Sequence, residues 1–281
     1  MKKIQFFILA KSIGFYLNCL SYFNVEKAKN KAYQLFSQPK KGKLKKDFLP
    51  KTLLSATHET FEFQKEEIQT YIWKGNKDII LLIHGWESNS SRWKKLLQHL
   101  KKLPHTIIAI DAPAHGLSDG KEFNTPKYAE FINVVTQKYQ PKIAIGHSVG
   151  GITLAYYLHK YKNPHIEKVI LLGTPSSFKI INDNFINILS LNKRIKHRLE
   201  AFYQDKFNII IDDFSGHKFA ENFTQKALIA HDSEDTVVLV NEGHKYAKAW
   251  KDAIYIETTG LGHSLHDENL YLKITSFIEE A

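Results

Sequence analysis

The residues predict an α/β fold, a mostly parallel central sheet with helices on both faces, on three observations. Five short runs that are nearly all apolar recur at 79–83, 106–110, 142–145, 169–172 and 227–230. A strand covered on both faces must be apolar along its whole length, which is the condition inside a parallel sheet. Helix-length segments lie between them at 91–102, 127–138 and 149–161, and such alternation is the pattern of βαβ crossovers. Finally, 281 residues with 43% hydrophobic content can bury a full core, in one large domain or two smaller ones.

The remaining elements follow in chain order. Residues 59–63 and 69–73 alternate apolar and polar at period two, which predicts an antiparallel pair at a sheet edge. Residues 241–251 read as a helix, 253–256 as a final strand and 267–278 as a closing helix. Between Pro175 and Gln225 the rhythm breaks for about fifty residues rich in apolar side chains, among them Phe178, Ile181, Phe185 and Leu189. A structureless loop of that length is unusual, so an inserted helical lid over about 176–225 is expected.

Charge is unevenly placed. Residues 1–51 hold twelve lysines against Glu26 and Asp47, so the whole formal charge of +10 sits there and the other 230 residues are neutral. Lys2 and Lys3 before the apolar run 4–10 look like the opening of a secretory signal. Lys11 cuts the run, however, and no small-x-small site follows. A lipoprotein reading of Cys19 fails because Tyr16, Leu17 and Asn18 precede it. No charge-free apolar stretch approaches the ~20 residues of a membrane span. Residues 1–56 are therefore expected to form a basic helical extension and linker, the helix packing on the body or resting on a membrane surface. Lysines 40, 41, 43, 45 and 46 would be a solvated linker, with a patch for anionic lipid as the alternative. No nucleic-acid module accompanies the lysines, so nucleic acid is not an expected partner. The single Cys19 excludes an intrachain disulfide and any CxxC site, and it is compatible with a reducing, cytoplasmic location.

The sharpest chemical signal is Gly146-His147-Ser148-Val149-Gly150-Gly151, directly after one apolar run and directly before a helix. Glycines flanking a serine at this spacing permit a tight strand-to-helix turn that lifts the hydroxyl out of the sheet. A serine hydroxyl is a weak nucleophile without a base. His263, in Gly260-Leu261-Gly262-His263 between the last strand and the last helix, is the candidate, with His266 as its neighbour and competitor. An orienting acid should stand at another strand end. None follows the run 169–172, whereas His231-Asp232-Ser233-Glu234-Asp235 offers three, Asp232 also suiting a loop-bracing role. His231 and the aspartates lack the further ligands that a metal would need. An oxyanion would be held by backbone N–H groups, Val149 by virtue of the turn itself and Trp86 from His84-Gly85-Trp86 after the first parallel strand. His115, in Asp111-Ala112-Pro113-Ala114-His115-Gly116-Leu117-Ser118, is expected to be structural.

Taken in order, His84–Trp86, Asp111–Ser118, the Ser148 turn, HDSEDTVV and GLGH resemble the motifs of the α/β-hydrolases over residues 57–281. The resemblance implies that fold with a lid insertion, Asp235 as the triad acid beside Ser148 and His263, and hydrolysis of a small-molecule carboxylic ester or thioester through an acyl-enzyme, with no cofactor and no metal. A serine at the turn argues against a dehalogenase, which would carry an aspartate there. Two features depart from the family pattern: Ala114 stands where a glycine is usual, and the lysine-rich extension is found in only some members. The rival expectation is a catalytically idle scaffold that uses residues 1–51 to dock on a membrane or an acidic partner.

Overall fold

The computed structural model describes residues 2–280; Met1, Ala281 and the side chains of Lys2 and Lys3 lie outside the described residues. The chain begins with helices α1 (Lys2–Phe23) and α2 (Val25–Ser37), then a short α3 (Lys51–Leu54). Next come β1 (Thr57–Phe63), β2 (Glu66–Trp73), β3 (Ile79–Ile83), α4 (Lys94–Leu100), β4 (Thr106–Ile110), α5 (Thr125–Tyr139) and β5 (Ile143–His147). Then follow α6 (Val149–Tyr161), β6 (Lys168–Leu172), α7 (Phe178–Leu189), α8 (Lys193–Phe207), α9 (Gly216–Ala220) and β7 (Lys226–Asp232). The chain closes with α10 (Asn241–Ala249), β8 (Ile254–Thr258) and α11 (Glu268–Glu279).

Among the described residues the strands form one sheet in the order β1-β2-β4-β3-β5-β6-β7-β8. β1 and β2 pair antiparallel, β2 meets β4 antiparallel, and every later pairing is parallel. The expected edge hairpin and mostly parallel sheet are therefore present. Alternate residues of each central strand enter opposite cores, as the strand period requires. In β3, Leu81 and Ile83 join Phe131, Leu154 and Tyr157, whereas Ile80 and Leu82 join Trp93, Leu97 and Ile274. β4 lies on one side of β3 and β5 on the other. The loops leaving β3 and β5 therefore diverge at a switch point, where open α/β sheets bind ligands beyond the carboxyl ends of their strands.

The chain forms two compact units: residues 39–176 with 216–281, which hold the sheet, and residues 1–38 with 177–215, which are helical. In the helical unit, α1, α2, α7 and α8 enclose a small core that includes Leu17, Ala32, Leu189, Ile195, Leu199 and Tyr203. Asn24, Ser177 and Asn192 cap α2, α7 and α8 by accepting from first-turn N–H groups. The first 38 residues thus share a core with 177–215, whereas the sequence reading joined them to a linker ending at 56.

Two other expectations meet a different structure. Residues 40–46 are not a solvated linker throughout, because Gly42 and Leu44 exchange backbone hydrogen bonds with Gly116, and Lys43 Nζ donates to the Ser118 carbonyl at 2.6 Å. Gly42 has φ +91°, and a Cβ there would lie 2.6 Å from the Ser88 carbonyl oxygen, so a glycine is required for this approach. The membrane-span expectation also changes. Ile4–Phe23 is helical over 20 residues with mean hydropathy 1.3, long and apolar enough to cross a bilayer, with Lys11 as its one charge.

Candidate functional site

Ser148 stands between β5 and α6 with φ 53° and ψ −126°, a conformation that costs a non-glycine residue of order 1–3 kcal/mol. The surrounding glycines make that turn sterically possible. A Cβ on Gly146 would lie 2.6 Å from Gly151 Cα, one on Gly150 2.4 Å from the Ile83 oxygen, and one on Gly151 2.1 Å from Thr174 Oγ1. The Ser148 N–H is held by the Leu172 carbonyl at 2.9 Å, which ties the turn to the end of β6.

The structure brings Ser148, His263 and Asp235 together across 115 and 28 residues of chain. Ser148 Oγ lies 2.9 Å from His263 Nε2, and His263 Nδ1 lies 2.7 Å from Asp235 Oδ2. As Asp235 accepts at Nδ1, that nitrogen carries the proton and Nε2 is left free to accept from the serine. The other Asp235 oxygen takes the N–H groups of Val237 and Val238 at 2.8 and 2.9 Å. Burial alone would raise this carboxyl. Hydrogen bonds from His231, His263 and the Val238 N–H overcome it and hold the group well below the usual carboxylate range, so it stays ionised.

Asp232 does different work. Its carboxylate accepts from Thr258 Oγ1 at 2.7 Å and from the N–H groups of Leu261, Gly262 and Glu234, each at 3.0 Å. It therefore holds the backbone of the turn that carries His263. Two residues that sequence reasoning missed complete that hold. His147 Nε2 donates to the His263 carbonyl at 2.9 Å and the Arg92 guanidinium to the Ser264 carbonyl at 3.1 Å. Four consecutive residues, 261–264, are thus fixed through their peptide groups by side chains from three separate segments. His266 points elsewhere, its Nδ1 2.6 Å from the Tyr271 hydroxyl, and His231 donates from Nε2 to the Val238 carbonyl at 2.8 Å. Among the described residues no group of three His, Cys, Asp or Glu could hold a metal ion.

The loop after β3 reaches Ser148 through Gly85. A Cβ there would stand 3.0 Å from Ser148 Cβ and 3.4 Å from the Val149 nitrogen. Val149 opens α6, so its N–H has no partner within the helix. His84, a third residue whose role sequence reasoning missed, accepts the Ala112 N–H at Nε2 (3.0 Å) and donates from Nδ1 to the Gly85 carbonyl (2.8 Å). Because the peptide is planar and trans, fixing that carbonyl aims the Trp86 N–H the opposite way. His115 accepts the Glu87 N–H at 2.9 Å and donates to the Pro113 carbonyl at 2.8 Å, the structural role expected of it. Burial pushes both imidazoles down to about 4, so they remain neutral braces near pH 7. Asp111 is buried and fully used, accepting from Ser90, Tyr71 and Leu117. Ala114 keeps the left-handed turn at φ 63° without the glycine usual there.

The sequence model of the α/β hydrolase fold family matches residues 78–208. The chain is 30% identical over 101 residues to a bifunctional esterase/perhydrolase of Acinetobacter calcoaceticus, covering 34% of this chain and 36% of that one. It is 24% identical over 110 residues to the Bacillus subtilis phospholipase YtpA, covering 36% and 42%. It therefore spans about two fifths or less of the length of these two relatives. Among solved structures, the mouse α/β hydrolase domain-containing protein 10 superposes with TM-score 0.66 at 17% identity, over 80% of this chain and 99% of that one. A Bacillus anthracis bromoperoxidase does so with TM-score 0.64 at 18% identity, over 80% and 100%. At such identities the structures establish the fold. Sheet order, strand-to-helix turn and matched segment agree, and the chain has the α/β-hydrolase fold.

Proposed function

We propose that this protein is a serine hydrolase that cleaves a small-molecule carboxylic ester or thioester through an acyl-enzyme. The observation that carries the reading is the continuous chain Asp235–His263–Ser148, with contacts of 2.7 and 2.9 Å. In the first half-reaction Ser148 Oγ attacks the acyl carbon while His263 Nε2 takes its proton. The tetrahedral oxyanion accepts from the N–H groups of Val149 and Trp86. The intermediate collapses as His263 returns the proton to the departing alcohol or thiol. Water then repeats the sequence, losing its proton to His263 and releasing the acid. Asp235, ionised throughout, steadies the imidazolium that forms in both halves. The lid role expected of the insertion belongs to the same proposal: α7 and α8 enter the chain between β6 and β7, two strands whose following loops hold Thr174 and Asp235.

The test is labelling with a fluorescent fluorophosphonate, with Ser148→Ala in parallel. The expected result is labelling that disappears in the variant, together with a fall in ester turnover of about four to six orders of magnitude. A folded parent that takes no label would sink the proposal and leave the idle scaffold as the better reading.

A further inference from the structure

The helical unit carries an apolar surface that its own core does not use. On α1, Ile4, Phe6, Phe7, Ile8 and Leu9 are all exposed, interrupted only by the polar Gln5. Beyond them Phe15 (72% exposed), Cys19 and Tyr22 (68%) continue one stripe from Ile4 and Ile8 at helical spacing. The opposite face is docked. A Cβ on Gly14 would lie 1.6 Å from the Leu189 oxygen, and Lys11 Nζ donates to the Asn187 carbonyl and Ser190 Oγ at 3.0 and 2.7 Å. Asn18 bonds both Ser190 and Asn192, and Ser21 accepts from Asn192.

This arrangement separates three fates for the helix. A core helix would be mostly covered, yet only 22% of the apolar window is buried. A helix crossing the bilayer would either carry this polar seam, with the charged α8, into hydrocarbon or break it, and unsatisfied polar groups are costly there. A helix lying in the interface keeps the seam and buries the stripe. Cations flank the stripe: Lys11 Nζ stands 5.4 Å from the Phe7 ring and the Arg194 guanidinium 5.1 Å from the Tyr22 ring. Arg194, His197 and Arg198 line a surface hollow of about 350 Å³ in the same unit. The unit's residues hold twelve Lys and Arg against six Asp and Glu, a formal charge of +6. A second copy would bring the same positive charge to the stripe and be repelled, whereas an anionic lipid surface would be attracted.

We propose that α1 is an in-plane membrane anchor, its apolar stripe seated in a bilayer of anionic lipid with Arg194 and Arg198 at the headgroup phosphates. The full chain should co-sediment with vesicles of equimolar phosphatidylcholine and phosphatidylglycerol, and about ten-fold less with phosphatidylcholine alone. Ile8→Glu with Phe15→Glu, both at exposed positions, should weaken binding by about ten-fold or more while the circular dichroism stays that of the parent. Arg194→Gln with Arg198→Gln should shrink the preference for phosphatidylglycerol and leave binding to phosphatidylcholine unchanged. A fluorophore on Cys19, the only cysteine, should shift to the blue on binding and be quenched more by headgroup nitroxides than by nitroxides at the chain ends. Equal binding of the glutamate variant, equal binding to both vesicles, strongest quenching at the bilayer centre, a dimer that ignores vesicles, or a cellular chain cleaved after α1 would each overturn the anchor.

Discussion

Two turns meet at Ser148 and are held in opposite ways. The turn that carries the serine is fixed by missing side chains: a Cβ on Gly146, Gly150 or Gly151 would enter the space of backbone or Thr174 at 2.1 to 2.6 Å. The turn that carries His263 has glycines for another reason. Gly260 and Gly262 have φ +84° and +56°, with nothing within 4 Å of an added Cβ, so they supply conformation and not room. What fixes this turn is polar: Asp232, His147 and Arg92 bond its peptide groups. Steric definition is local and leaves a mark in the sequence. Polar definition is assembled from residues far apart in the chain and leaves almost none.

The contrast can be broken from either side. The largest effect is expected at Gly150→Ala, whose Cβ would strike the Ile83 and His84 carbonyl oxygens at 2.4 and 2.5 Å. Neither oxygen can yield without moving the end of β3, so we expect a loss of about 3 kcal/mol or more in urea unfolding, or no folded protein. A stable Gly150→Ala with parental activity would show that the turn is not sterically set.

Asp232→Ala tests the polar turn. Removing the acceptor of the Leu261 and Gly262 N–H groups should displace His263 and lower kcat on a p-nitrophenyl ester by about ten- to a hundred-fold, with KM little changed. A drop in stability with kcat intact would reduce Asp232 to a structural residue. The smallest effect is expected at Gly262→Asn. Asparagine tolerates the left-handed region and finds open space there, so stability should fall by less than about 1 kcal/mol and kcat should hold. A collapse of this variant comparable to that of Gly150→Ala would erase the distinction between the two turns.

The comparison also explains which residues could be read in advance. Ser148 was legible because an apolar run, a glycine-flanked serine and a helix-forming run are contiguous, and His263 because its turn lies between the last strand and helix. Asp232 and Asp235 are three residues apart in one loop, and spacing alone left them undecided. The family resemblance pointed to Asp235, and the structure puts Asp235 beside the His263 ring and Asp232 beneath the His263 backbone. His84, His147 and Arg92 carry motif or no-motif contexts that say nothing about which carbonyl they will meet. The lysine-rich segment departs in part from its expected solvation, since charge density predicts solvation and does not register that Gly42 and Leu44 pair with Gly116.

By itself the sequence determined the strands, the helices between them and the tight turn at Ser148. These depend on apolar periodicity and excluded volume between residues close in the chain. Only the tertiary structure decided which acid lies against the His263 ring, which side chains hold its turn, and which face of α1 is covered by Leu189, Ser190 and Asn192. Each of those is a hydrogen bond or a close approach between segments roughly thirty to 180 residues apart, and one-dimensional spacing carries no information about a distance that only folding creates.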